Sequence, residues 1–138
     1  MTPHFTLKEL TATSRAFDNT PNAVELANLQ RLALFLEDVR TLLGASITIN
    51  SAFRSKAVND AVGSRDSSQH RHGCAADIKV AGLSPDEVVR TIIASDLKYD
   101  QIIREFDSWT HISITNIADG LPRKQALIID KLGTRQFI

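Results

Sequence analysis

Three of the four histidines fall in two short segments. These are Ser67-Ser68-Gln69-His70-Arg71-His72-Gly73-Cys74-Ala75-Ala76-Asp77-Ile78 and Glu105-Phe106-Asp107-Ser108-Trp109-Thr110-His111-Ile112-Ser113. Imidazole and carboxylate are the donors that hold zinc in hydrolytic sites, commonly three side chains with a fourth position left for water. His70, Asp77 and His111 make such a set, one metal per chain. His72 competes with His70, because His70-Arg71-His72 can present either imidazole. Glu105 and Asp107 are carboxylates near enough in sequence to move a proton. Cys74 is a soft donor or a nucleophile in principle, but between Gly73 and Ala75 its plain reading is packing, since free cysteine usually buries.

These residues need elements to bring them together. If Ala75 to Val80 is a strand, Ala76, Ile78 and Val80 point to one side and Asp77 and Lys79 to the other, because successive side chains alternate. In Trp109 to Thr115, Ile112 and Ile114 take the apolar side and His111 and Ser113 the opposite one. His111 then meets Asp77 if the two strands lie side by side, with His70 reaching over from a loop. Glu105 to His111 reads as a hairpin whose loop length sets the register, and a slip of one residue exchanges the faces. A three-residue loop at Asp107-Ser108-Trp109 pairs Glu105 with His111. A two-residue loop at Asp107-Ser108 pairs Arg104 with His111 and turns Glu105 away.

Two helices support this arrangement. Asn22 to Leu43 repeats apolar residues at spacings of three and four, among them Leu29, Leu32, Leu36 and Val39, so one stripe faces a core. Thr20 with Pro21 offers a cap and a first-turn proline, and Gly44 a left-handed stop. Pro85 to about Ser95 opens with Ser84 and Glu87, the reciprocal spacing of a capping box, and carries Val88, Val89, Ile92 and Ile93. Shorter helices are expected at Lys56 to Val62 and Phe5 to Leu10. Further strands are expected at Ser46 to Ser51, Gln101 to Phe106 and Ala126 to Asp130. Irregularly ordered helices and strands joined by tight turns indicate an α+β domain with a small antiparallel sheet and flanking helices.

A chain of 138 residues fits one domain, here residues 1–138. Sixteen basic residues balance sixteen acidic ones, so the formal net charge is zero. No basic run offers the footprint that nucleic-acid binders use. No apolar stretch approaches the ~20 residues that span a bilayer. With Cys74 alone there is no internal disulfide. The segment Met1 to Leu10 lacks the basic, apolar and cleavage regions of a secretory signal, so the expectation is synthesis in the cytoplasm without a signal peptide. A monomer is expected.

The spacing Ser68-x-His70-x-x-Gly73-x-Ala75-x-Asp77, followed by Trp109-x-His111, resembles the zinc D-alanyl-D-alanine carboxypeptidase family. That family includes the vancomycin-resistance dipeptidases and several phage endolysins. Phe5-Thr6-Leu7-Lys8-Glu9-Leu10, Asp18-Asn19-Thr20-Pro21 and Ser51-Ala52-Phe53-Arg54-Ser55 with Val58-Asn59 are similar to its compact phage and prophage members. The likeness spans roughly residues 4 to 115; beyond it, only an outline is shared.

The resemblance implies the Hedgehog/DD-peptidase-like fold and hydrolysis of peptide bonds in peptidoglycan stems, by a carboxypeptidase or an endopeptidase. It implies zinc on His70, Asp77 and His111, with His72 a bystander. It further implies that Arg54 neutralises a substrate carbonyl or carboxylate and that Ser68 hydrogen-bonds substrate; an arginine fork suits an oxyanion. One departure matters. Many members place the catalytic carboxylate three residues before the last ligand, where this chain has Ser108. Glu105 matches the compact members and is the expected base, with Asp107 its rival.

By analogy with phage, the protein would reach the cell wall after release during lysis, or as a virion component. The alternative is a peptidoglycan-binding module of a phage tail or wall assembly, with the same fold and no cutting activity. A cysteine hydrolase using Cys74 and His72 is a third reading; it predicts sensitivity to thiol alkylation rather than to chelators.

Overall fold

A computed structural model describes residues 1–138. Four α-helices (α1 Leu7–Leu10, α2 Ala23–Leu43, α3 Lys56–Ala61, α4 Pro85–Ile93) accompany six strands (β1 Ile47–Ser51, β2 Ala75–Val80, β3 Gln101–Glu105, β4 Trp109–Ser113, β5 Gln125–Asp130, β6 Gly133–Gln136). A 3-10 turn spans Gln69–His72. No helix is long and apolar enough to cross a membrane.

The strands form one sheet in the order β1-β2-β4-β3-β5-β6. The fold is α+β as expected, but the sheet is mixed rather than antiparallel, because β5 runs parallel to β3. The chain leaves β4 at the end of the sheet where β3 begins, so residues 114–124 can deliver β5 to the free edge of β3 in the same direction. β6 then folds back along β5. Its residues are all exposed, so it carries no apolar alternation and left no strand signal in the sequence.

One face of the sheet is the core. Ala76, Ile78, Ile102 and Ile112 are fully buried against Leu29, Leu32, Leu36 and Val39 of α2 and Val88, Val89 and Ile92 of α4. Each of the Ile, Leu and Val side chains among them contributes about 1.5–3 kcal/mol on burial. The opposite face carries Asp77, His111, Ile103 and Glu105, which the pleat forces outward when their neighbours go in.

The helix ends follow their local chemistry. Asn22, not Thr20, caps α2. Its side chain accepts from the Glu25 N–H at 2.8 Å while Glu25 accepts from the Asn22 N–H at 2.9 Å. Thr20 is held instead by Asp18, which accepts from both its N–H and its hydroxyl. Gly44 ends α2 in the left-handed region, and Ser84 with Glu87 forms the capping box of α4.

Candidate active site

β2 and β4 are antiparallel neighbours, and Asp77 stands directly opposite His111. Ile103 of β3 faces His111 from the other side, so Asp77, His111 and Ile103 form one row across the sheet. The β3–β4 register differs from both expected ones. The loop is Phe106-Asp107-Ser108, and Glu105 pairs with Trp109. Phe106 and Asp107 both take positive φ, 53° and 49°, which tightens the turn, and the Ser108 N–H closes it on the Glu105 carbonyl at 2.9 Å. Relative to the pairing of Glu105 with His111, the register is displaced by two residues. An even displacement preserves the faces. Glu105 therefore still shares the face of His111, diagonal to it rather than opposite.

His70 arrives from the 3-10 turn. The turn ends at Gly73 with φ +78°, and a side chain there would bring its Cβ to 2.8 Å from the Glu25 carbonyl oxygen, so the backbone packs directly on α2. Asn28 of α2 donates to the His72 carbonyl at 2.9 Å, and Arg71 pairs with Glu25. On the other side the Arg54 N–H donates to the His70 carbonyl at 3.0 Å. His70 is buried, and its Nδ1–H donates to the Ala52 carbonyl at 2.7 Å. That bond fixes the ring and leaves Nε2 as the free donor atom, the arrangement by which metal-binding histidines are oriented.

His70 Nε2 lies 3.3 Å from Asp77 Oδ1, and His111 Nδ1 lies 3.1 Å from the same oxygen. Ligand atoms from all three residues fall within 4.8 Å of one another. Donors about 2.0–2.2 Å from a tetrahedral zinc stand roughly 3.4 Å apart, so the spacing and the N, N, O chemistry both fit that ion. Burial would push the Asp77 carboxyl up, but the hydrogen bond from His111 and the His70 imidazole beside it hold it below the usual carboxylate range. It is thus an anion ready for a cation.

The three residues sit in a cleft of about 470 Å³. Arg54 lines it, with Nη2 3.7 Å from Asp77 Oδ2. Ser68 lines it too, and its hydroxyl makes no cap bond to the 3-10 turn it precedes. Glu105 completes the group: burial first and the nearby Asp77 charge second raise its pKa above the ordinary glutamate value, against the pull of His111 and Arg54. Asp107 lies outside the cleft. It is an exposed turn residue paired with Arg104 at 3.0 Å. His72 is not among the clustered donors. Cys74 is fully buried, away from the cleft, with its thiol pushed up by burial, which removes the geometry a cysteine hydrolase needs.

Sequence reasoning missed Gln69, Gln101 and Arg123, which also line the cleft. Arg123 belongs to the tail, and no local pattern links it to residues more than forty positions earlier in the chain. Only the parallel placement of β5 beside β3 brings it there.

Two imidazoles and a carboxylate around one point, with a separate carboxylate and a guanidinium in the same cleft, define the donor set of a mononuclear zinc hydrolase. The chain belongs to the peptidase M15 family, whose model matches residues 3–113. It is therefore related to metallopeptidases of the zinc D-Ala-D-Ala carboxypeptidase type, and the resemblance read from the motifs holds. No curated protein matches the chain closely enough to count as a relative.

Proposed function

We propose that this protein is a zinc-dependent peptidase that cuts peptides of the bacterial cell wall, at a terminal D-Ala or within the stem. The observation that carries this reading is the convergence of His70, Asp77 and His111 with Glu105 and Arg54 in one cleft. His70, Asp77 and His111 hold the metal. When bound, zinc supplies Lewis acidity that makes water a nucleophile near neutral pH and polarises a carbonyl.

The chain's own residues do the rest. Glu105 takes a proton from the attacking water, placed to do so by its position in the cleft on the same face of the sheet as His111. It then passes that proton to the departing amine, so one carboxylate serves both halves of the reaction. Arg54 is held near Asp77 and presents its remaining N–H groups to the scissile carbonyl, where negative charge develops. Ser68 offers an uncommitted hydroxyl to the substrate backbone. The Ala52 carbonyl keeps His70 in one tautomer throughout.

For the biology, we propose action on the wall after release during phage lysis, or from a virion. The test is digestion of purified peptidoglycan fragments by the zinc-loaded protein, with the new termini read by mass spectrometry. Cleavage that stops with chelator and returns with zinc supports the reading. Absence of cleavage across terminal and internal stem bonds overturns it.

A further inference from the structure

Asp100, at the turn into β3, is buried, yet it is the hub of a polar network. Its Oδ2 accepts from Arg123 Nε at 3.1 Å, Arg123 Nη2 at 2.8 Å and Gln69 Nε2 at 3.0 Å, and its Oδ1 accepts from the Arg123 N–H at 2.9 Å. Burial works to raise the Asp100 carboxyl, but the bonds and charge of Arg123 win and hold it below the usual value. Neutralising Asp100 requires only one edge of the guanidinium. Nη1, on the other edge, has no protein partner, and the Arg123 side chain is 55% exposed while lining the cleft.

A guanidinium pinned along one edge and open along the other is a preformed fork for an oxyanion. The entropy of ordering that long side chain is already spent in the free protein. Gln101 stands beside it, bonded to Gln125 at 2.7 Å, so the adjoining floor is polar as well.

The sheet fixes how far this fork lies from the chemistry. His111 is on β4, and Gln125 begins β5, two strands away in the order β4-β3-β5. Ile103 faces His111, and Gln101, the partner of Gln125, is two residues along. That puts Gln125 about 12 Å from His111; the fork itself is held on Asp100, one strand spacing across from His111 and three residues along from Ile103, which gives about 11 Å. An extended peptide covers that in three to four residues. Arg54 approaches from the opposite side, beyond β1, so the two arginines flank the metal ligands rather than share one task.

We propose that Arg123 is a specificity residue that binds a substrate carboxylate about three residues from the bond that is cut. The carboxylate is carried by the peptide as a terminus or a side chain. This rests on the peptidase reading above, and it adds a subsite supplied by a segment outside residues 3–113, the part matched by the family model.

The experiment uses the full chain loaded with zinc and stem-type peptides in matched acid and amide forms, changed at each position two to four residues either side of the cut. At one position, conversion of acid to amide lowers kcat/KM by about ten- to a hundredfold, the worth of a charge-assisted bidentate contact. Arg123→Gln brings that acid-to-amide ratio close to one. If Arg123→Gln does not fold, Arg123→Lys keeps a cation on Asp100 but loses the fork, and the ratio falls severalfold. No position with a ratio above about two in the wild type, or a ratio unchanged in the variant, overturns the proposal. If the wild type cuts no peptide at all, it is the peptidase reading that fails. Calorimetric binding of the same acid and amide pairs then decides the Arg123 site by the same ratios.

Discussion

Replacement of Glu105 by glutamine is the most informative perturbation. The side chain keeps its size and its place on β3, diagonal to His111 on the same face of the sheet, where such neighbours stand about 7–8 Å apart. From there a glutamate reaches toward a group held at His111 without being one of the clustered ligands. Glutamine cannot take a proton, so kcat should fall by about 10²–10⁴, a rise in the barrier of about 3–5.5 kcal/mol. Glu105→Asp retracts the carboxylate by roughly 1.5 Å and should cost about a hundredfold, since misplacement on that scale disrupts proton transfer. The assay is steady-state cleavage of a stem peptide, with zinc content measured on the same preparations. Both variants should retain about one zinc per chain. Full activity in Glu105→Gln would refute Glu105 as the proton carrier. Loss of zinc from it would make Glu105 a ligand and undo the three-residue set.

Other outcomes follow from the same geometry. Asp77→Asn should weaken zinc binding by more than about a hundredfold, since it removes a ligand rather than an outer partner, whereas His72→Ala should leave zinc content unchanged in a metal-release titration. Gly73→Ala forces a side chain into positive φ and against the Glu25 carbonyl oxygen. It should cost about 2–5 kcal/mol in urea unfolding and lower zinc affinity by moving the turn that carries His70. Asp100→Asn should destabilise the neutral-pH protein by about 1–3 kcal/mol. Because the folded pKa of Asp100 is depressed, its stabilisation is present above the unfolded carboxyl pKa and fades as pH falls through the folded one. The gap between wild type and variant in thermal melts should thus be full above about pH 5 and narrow below about pH 4.

The sequence by itself determined which residues could be ligands and on which side of their strands they lie. Alternation in Ala75–Val80 and in the β4 segment put Asp77 and His111 off the core face, because Ala76 and Ile78 in one strand and Ile112 and Ile114 in the other claim the apolar side and successive side chains alternate. Periodicity located α2 and α4, since a buried stripe repeats within one segment. The α+β class followed from the order of the elements; the choice of His70 over His72, and the Hedgehog/DD-peptidase-like form of the fold, came from motif spacing shared with a family, and the match over residues 3–113 bears that family out.

Tertiary structure decided what depends on partners distant in the chain. The β3–β4 register rests on the tight turn at Phe106 and Asp107, and it placed Glu105 diagonal to His111 while sending Asp107 to Arg104. The mixed sheet arises from β5 docking on the free edge of β3, a pairing that β5 itself does not encode. β6 is an exposed edge with no apolar pattern to betray it. Arg123 reaches the cleft only because a buried carboxylate, Asp100, needed a cation and the returning chain brought one. Local physics writes period and face into a sequence; register, edge pairing and long-range charge compensation are settled when the chain closes on itself.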